Sequence, residues 1–190
     1  LDSTLSMRNH VTRLTSTCFG VLRQIRCIRR NLSRRALAML VTCFVFVRLD
    51  YCNATFIGLP HCDLNRIQAV QNAAVRLVAG ASRVDHVTPL LRERHWLPVH
   101  LRVVYKMAVI VYKCLAATSA DYLTALTRPP VSTTTLRLRS ADTRCLHVPR
   151  TRTGYGDRAF SVAGPRLWNT GTVCLTLSNL PLRWVLLSSG

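Results

Sequence analysis

The chain has 190 residues, of which 26 are Lys or Arg and 8 are Asp or Glu, so its formal net charge is +18. Hydrophobic residues make up 49% of the sequence, which excludes wholesale disorder and suits one domain of about 150 residues with a tail. Such a charge attracts polyanions, so nucleic acid is the first partner to consider and an anionic membrane surface the second.

Arg supplies nearly all of the positive charge, because Lys106 and Lys113 are the only lysines in the sequence. A guanidinium can contact phosphate through two parallel hydrogen bonds, which an ammonium cannot. Codon bias in a GC-rich gene also favours Arg, but it does not by itself reduce Glu to the single Glu93. The preference for Arg over Lys therefore fits phosphate binding and codon bias equally well, whereas the excess of basic over acidic residues favours a polyanionic partner.

Membrane insertion and secretion have little support in the sequence. Residues 36–47 are apolar except for Thr42, but as a helix they would span about 18 Å, against about 30 Å of hydrocarbon. We expect a buried core helix there. The N-terminus lacks a signal-peptide pattern, and the cysteines form no C-x-x-C pair. We therefore expect reduced, mostly buried thiols in an intracellular protein.

The first predicted helix covers residues 6–30. Apolar residues recur there at alternating steps of three and four, and they are Val11, Leu14, Cys18, Val21, Ile25, Ile28 and Leu32. Arg23, Arg26, Arg30 and Arg34 share the same spacing on a different face. One face should therefore pack in a core while the other forms a basic stripe, although a solvated face without a partner is an equally ordinary interpretation.

Four further helices are predicted before residue 129. Ser33 caps a helix that ends near Asp50, and Gly80 stops the next one. The predicted ranges are 34–50, 63–79, 98–117 and 122–126, with one or two helical turns at 89–94 inside an irregular connection. The fold class expected is mainly α: a bundle of about five helices over residues 1–128.

Beyond residue 128 the predicted organisation changes. Residues 129–170 are expected to form an irregular, extended basic arm, with possible short strands near 144–148 and 158–162. Residues 171–190 are treated as a divergent tail. The aromatic residues are sparse, and Trp96 and Trp168 are expected to be structural anchors.

The sequence offers no catalytic constellation. Its acidic residues are scattered, with no adjacent pair and no Asp-x-Asp, whereas a polymerase or nuclease needs clustered carboxylates for Mg²⁺. Phosphate-binding glycine loops and a nucleophile elbow are also missing. Only His95 and His100 have a spacing found in zinc sites, and Pro98 breaks any shared helix face. We predict no enzyme, no metal site and no cofactor.

Five strings carry a family resemblance. They are LDSTLSMRNHV at 1–11, RLDYCNATFIGLP at 48–60, LNRIQAVQNAAVRLVAG at 64–80, DHVTPLLRERHWLPVHLRVVYKMAVIVYKCL at 85–115 and YGDRAFSVAGPRLWN at 155–169. In this order and spacing they resemble the region after the catalytic palm of reverse transcriptases from non-LTR retrotransposons of the jockey/chicken-repeat kind. Residues 170–190 depart from the family pattern.

The resemblance implies a non-catalytic part of an RNA-directed DNA polymerase of a mobile element, acting in the nucleus. The family's catalytic Asp pair lies upstream of the matching segment, so no catalytic residue is carried over. The helices would resemble a thumb that grips primer–template backbone, and the palm and fingers of the parent polymerase would be its partners.

We therefore expect non-specific binding to the backbone of RNA and DNA, including an RNA–DNA hybrid, and no membrane association. The predicted binding residues are Arg23, Arg26, Arg30, Arg66, Arg76, Arg102 and Lys106, with Arg137, Arg139 and Arg144 in the arm. The alternative is the product of a decayed pseudogene with no selected function.

Overall fold

Helices dominate the chain in the computed structural model, which describes residues 7–127 and 145–170. The predicted fold class, mainly α, is confirmed for these residues, which contain no strand. The chain divides into two compact units, Leu1–Arg102 and Val103–Gly190. The predicted boundary at residues 128–129 and the tail at 171–190 fall at or beyond the edges of the described residues, and they stay predictions.

Helix α1 spans Arg8–Ile28, and a 3₁₀ turn at Arg29–Asn31 extends it. Its buried residues are Val11, Thr15, Cys18, Leu22 and Ile25. The predicted helix is confirmed, and its apolar seam is confirmed at Val11, Cys18 and Ile25. The other members of the predicted seam are less buried: Leu14, Val21 and Leu32 are half-buried and Ile28 is exposed, because the buried face is shifted toward Thr15 and Leu22. Helix α1 packs mainly against α4, which spans His61–Ala79.

The apolar run after Ser33 forms one helical stretch in three parts: α2 (Arg34–Val41), a π-helical turn (Thr42–Phe46) and α3 (Val47–Asp50). As predicted, Ser33 caps it, since its hydroxyl accepts a hydrogen bond from the Ala36 N–H at 3.2 Å. One face of the stretch is buried, at Leu37, Val41, Val45, Phe46 and Leu49.

The opposite face of that stretch is not covered within the described part of the chain. Met39 is 60% exposed and Val47 61%, and Phe44 is also exposed. The prediction of a buried core helix is therefore correct for one face only. A helix that is apolar all round needs neighbours on every side, and α1 and α4 contact one side of it.

Helix α4 ends where the sequence predicts. Gly80 has a φ of 74°, and both its N–H and that of Ala81 bond to the carbonyl of Arg76. This left-handed C-terminal turn suits glycine, which has no Cβ to clash. The Arg29 Nη2 atom lies 3.2 Å from where a Cβ on Gly80 would stand. A cation is therefore placed at the negative end of the α4 dipole.

Two glutamines of α4 hold the start of helix α6 (Val99–Leu115), which follows α5 (Val87–Glu93). Gln71, fully buried, donates to the Leu97 carbonyl at 2.7 Å. The side-chain oxygen of Gln68 accepts a hydrogen bond from the Val99 N–H at 2.8 Å. The apolar spacing along α4 gives no sign of this buried amide.

The second unit contains α7 (Asp121–Leu126), α8 (Gly154–Asp157) and α9 (Phe160–Asn169). The prediction of an extended arm is wrong for residues 154–169, and so is the possible strand at 158–162. Residues 145–148, within the described range, also form no strand.

Side chains explain both corrections. The Thr153 hydroxyl accepts from the Gly156 N–H at 3.1 Å and starts α8. The amide group of Asn169 bonds both to the N–H and to the carbonyl of Leu146, each at 2.8 Å, so Leu146 needs no neighbouring strand. In α9, a Cβ at Gly164 would stand 3.0 Å from Val111 Cγ2, which explains a glycine inside that helix.

Candidate nucleic-acid interface

Helix α1 carries a row of exposed arginines. Arg13, Arg23 and Arg26 are all exposed. At about 100° per residue, Arg23 lies about 120° around the helix from the centre of the buried face, Arg13 about 160° and Arg26 about 60°. Arg13 and Arg23 therefore point away from the packing against α4, where a phosphate backbone could reach them, whereas Arg26 lies exposed at the edge of the packed face.

More arginines follow at the turn between α1 and α2. Arg29, Arg30, Arg34 and Arg35 are exposed in this turn and the first residues of α2. The predicted stripe Arg23–Arg26–Arg30 is thus exposed throughout, although Arg30 sits in the 3₁₀ turn and not in α1 itself. Nothing acidic lies between Met7 and Val47, so this surface has no neighbouring carboxylate from its own elements.

The acidic residues of the first unit are mostly engaged elsewhere. Asp50 pairs with Arg102, and Asp63 lies 3.7 Å from Arg66. The carboxylate of Asp85 accepts a hydrogen bond from the Ser82 N–H at 2.6 Å. Within residues 7–127 and 145–170, the ion pairs involve none of the arginines on α1 or at the start of α2.

Arg102 is the clearest exception among the predicted binding residues. It is buried, with 9% of its surface exposed, and its guanidinium pairs with Asp50. The Cζ atom of Arg102 lies 4.8 Å from the centroid of the Phe46 ring. Burial lowers the pKa of Arg102 from its ordinary value, while Asp50 opposes that shift. Arg102 therefore has a structural role, and its place in the predicted set is corrected.

The other predicted residues differ in how far they are available. Arg66 is exposed but also donates to the Thr12 hydroxyl at 3.1 Å. Arg76 is half-buried and donates to the Asp85 carbonyl at 3.2 Å. Lys106 is half-buried on α6 in the second unit. Arg137, Arg139 and Arg144 lie outside the described residues.

A shallow groove of about 460 Å³ runs between α1 and α3. It is lined by His10, Arg13, Leu14, Thr17, Val47, Arg48 and Tyr51. Arg13 and Arg48 are exposed, and Tyr51 is 74% exposed. The His10 ring lies 5.9 Å from the buried Phe56 ring, measured between centroids. Among the described residues, the lining contains two guanidinium groups and no carboxylate.

This groove was missed in the sequence. Arg13 and Arg48 lie in different helices, and neither continues the Arg23–Arg26–Arg30 spacing, so the sequence pattern does not indicate that they line one groove. The one available signal was the i, i+3, i+4, i+7 spacing of His10, Arg13, Leu14 and Thr17, which places these residues on one side of α1.

Most of the described cysteines are exposed. Cys18 and Cys114 are buried, but Cys27, Cys43, Cys52, Cys62 and Cys145 are exposed, so the prediction of mostly buried thiols is wrong. Burial raises the pKa of the Cys18 thiol, and the Arg48 guanidinium opposes the shift. In the described ranges, no group of three or more His, Cys, Asp or Glu side chains could hold a metal ion.

Trp96 packs edge-on against Phe46, with ring centroids 4.3 Å apart, which fits the structural role predicted for it.

None of the helices in the described segments combines the length and apolarity needed to cross a bilayer. Comparison with protein-family models, with curated proteins and with solved structures returned no match.

Proposed function

We propose that this chain binds the sugar–phosphate backbone of nucleic acid without sequence preference. The observation that carries the proposal is the run of exposed arginines on α1 and at the start of α2, which the ion pairs of the described residues leave uncompensated. Backbone phosphates are the partners whose charge and geometry such guanidinium groups fit.

The surface suits backbone contact better than base recognition. The exposed arginines of α1 and of the turn after it offer several separate charges, and each phosphate that they neutralise releases condensed counterions. Base readout would need side chains held in a fixed orientation by neighbours, and exposed arginines on a solvent-facing surface are not held in this way. Affinity should therefore depend strongly on salt and weakly on sequence.

The test is the binding of the purified chain to a labelled RNA–DNA hybrid across a salt series. The logarithm of the binding constant should fall with the logarithm of the salt concentration, by about 0.9 for each phosphate contact. In the double variant Arg23→Gln/Arg26→Gln the slope should become shallower by about 2. A binding constant that does not change with salt would overturn the proposal.

A control variant separates local contacts from net charge. Arg166→Gln removes one positive charge from a residue that already pairs with Asp157 at 3.0 Å. The salt slope of this variant should stay close to that of the wild type. If Arg166→Gln lowered the slope as much as a substitution on α1, the binding would reflect overall charge and not the proposed surface.

The proposal extends to the origin of the chain. Residues 1–169 resemble the region after the palm of non-LTR retrotransposon reverse transcriptases. This resemblance supports a role in binding the primer–template of an RNA-directed DNA polymerase in the nucleus. In that role the chain would contribute backbone contacts and not the chemistry. Primer extension by the purified chain alone would contradict this part of the proposal.

One observation favours the rival, a decayed pseudogene product. The described residues leave the apolar face at Met39, Phe44 and Val47 uncovered, as expected of a helix whose packing partner is missing. On this view the purified chain should aggregate and unfold without cooperativity. A soluble chain with a cooperative urea transition and salt-dependent binding would reject the rival.

A further inference from the structure

We infer that the groove between α1 and α3 holds an unpaired nucleotide, with its base stacked on Tyr51 and its phosphate held by Arg13 and Arg48. This inference rests on the proposed function and deepens it, because it distinguishes single-stranded from paired nucleic acid. The groove's volume is about 460 Å³.

Charge is the first argument. Arg13 projects from α1 and Arg48 from α3, and both are exposed at the groove, to which residues 7–127 and 145–170 contribute no carboxylate. Two cations on opposite walls favour an anionic group between them. The Asp50 carboxylate, only two residues after Arg48, pairs with Arg102 and is not part of the lining.

The aromatic side chain is the second argument. Tyr51 caps the end of α3 with an extended ψ of 119°, and Cys52 after it has a φ of 53°. The turn leaves the Tyr51 ring 74% exposed beside the two cations. Groove-lining cations combined with an exposed aromatic ring are the usual elements of single-strand binding, because every base has a π-face that can stack.

An acidic peptide fits the groove less well. Leu14 and Val47 give it apolar surface, and a peptide laid over them would need partners for its backbone N–H and carbonyl groups. A stacked base needs no such partners for its faces. A base pair inside a duplex is also excluded, because both of its faces are already stacked on neighbouring pairs.

The experiment compares two probes and four forms of the full chain. The probes are a blunt RNA–DNA hybrid and the same hybrid with a short single-stranded extension. The forms are wild type, Tyr51→Ala, Tyr51→Phe and Tyr112→Ala. Tyr112 is the matched control, since it is 59% exposed on α6 and does not line the groove.

Wild type should bind the extended hybrid more tightly than the blunt one. Tyr51→Ala should weaken binding to the extended hybrid by about five- to 150-fold, the equivalent of about 1–3 kcal/mol for one stacked base. Binding of that variant to the blunt hybrid should not change. Tyr51→Phe should bind as wild type does, because its ring still stacks, and Tyr112→Ala should behave as wild type with both probes.

Three results would overturn the inference. The first is equal binding of the two probes by wild type, and the second is a Tyr51→Ala variant with unchanged affinity for the extended hybrid. The third is displacement of the extended hybrid by poly-glutamate in wild type but not in Tyr51→Ala, which would assign the groove to an acidic peptide. In all three cases, salt-dependent binding to the blunt hybrid would still support the proposed function. If that binding were also lost, both the proposed function and the inference about the groove would be rejected.

Discussion

The guanidinium of Arg102 pairs with the carboxylate of Asp50, and this contact ties the end of α3 to the first turn of α6. Arg102 also lies over the Phe46 ring, whose edge contacts Trp96. The Arg102 guanidinium thus lies between its ion-pair partner Asp50 and the aromatic rings of Phe46 and Trp96. Side chains buried in this way stabilise a fold only while the partner is present.

Replacement of Asp50 should therefore destabilise the first unit. Asp50→Ala leaves the buried guanidinium without its carboxylate, and the free energy of unfolding should fall by about 1–3 kcal/mol. Urea unfolding followed by circular dichroism measures the change. Glu93→Ala, at an exposed position in the same unit, should stay within about 0.5 kcal/mol of wild type. Equal effects of the two substitutions would contradict the structural role given to the pair.

Gln71 should matter more than an ordinary helix-surface amide. Gln71→Leu keeps a similar volume but leaves the Leu97 carbonyl without its 2.7 Å hydrogen bond, at a cost of about 1–3 kcal/mol. Thermal or urea unfolding measures it, with Gln24→Leu on the exposed side of α1 as the control. A Gln71→Leu variant as stable as wild type would show that this hydrogen bond does not hold the start of α6.

Two glycine substitutions should change stability in opposite directions. Gly80→Ala forces a Cβ into the left-handed region at φ 74° and should destabilise the chain by about 1 kcal/mol. Gly20→Ala, inside α1, meets no other atom of the described residues within 4 Å and should stabilise by about 0.5–1 kcal/mol through helix propensity. The difference between their urea midpoints is the measurement. Shifts of the same sign would contradict the backbone argument.

The Asp157 carboxylate should titrate at low pH. Its pKa lies below the ordinary 3.8, chiefly because the Thr151 hydroxyl donates to it at 2.6 Å and secondly because Arg166 does at 3.0 Å. Since the folded pKa is below the unfolded one, the stabilisation is fully present above about pH 4 and is lost as the pH falls through the folded pKa.

An NMR titration of the Asp157 side chain tests this. Thr151→Val should raise the midpoint toward 3.8, because it removes the larger of the two hydrogen bonds. Thr88→Val, on α5 and exposed, should leave the midpoint unchanged. An unshifted midpoint in Thr151→Val would show that the hydrogen bond does not control this pKa.

Local sequence signals predicted most of the helices in the first unit. The apolar spacing along α1, the Ser33 cap and the Gly80 stop all correspond to observed features. These signals act over a few residues, since a cap, a helical stop and a helical face depend only on close neighbours along the chain. The exposed Arg23, Arg26 and Arg30 follow from the same periodicity.

The same signals failed for residues 154–169. The basic composition of residues 129–170 favours an extended arm, but Thr153 caps α8 and Gly164 lets α9 approach Val111. The close approach depends on a residue far away in the sequence. No local pattern could report it.

The sequence by itself determined that the chain is basic, mainly helical and rich in arginines on one face of α1, because composition and periodicity are properties of neighbouring residues. Only the tertiary structure decided which cations remain available. It buried Arg102 against Asp50, which comes from another helix, and it placed Arg48 and Tyr51 across a groove from Arg13. Whether a guanidinium is free or paired depends on the side chains that the folded chain places beside it. Those side chains come from residues that are distant in the sequence, so local patterns do not predict them.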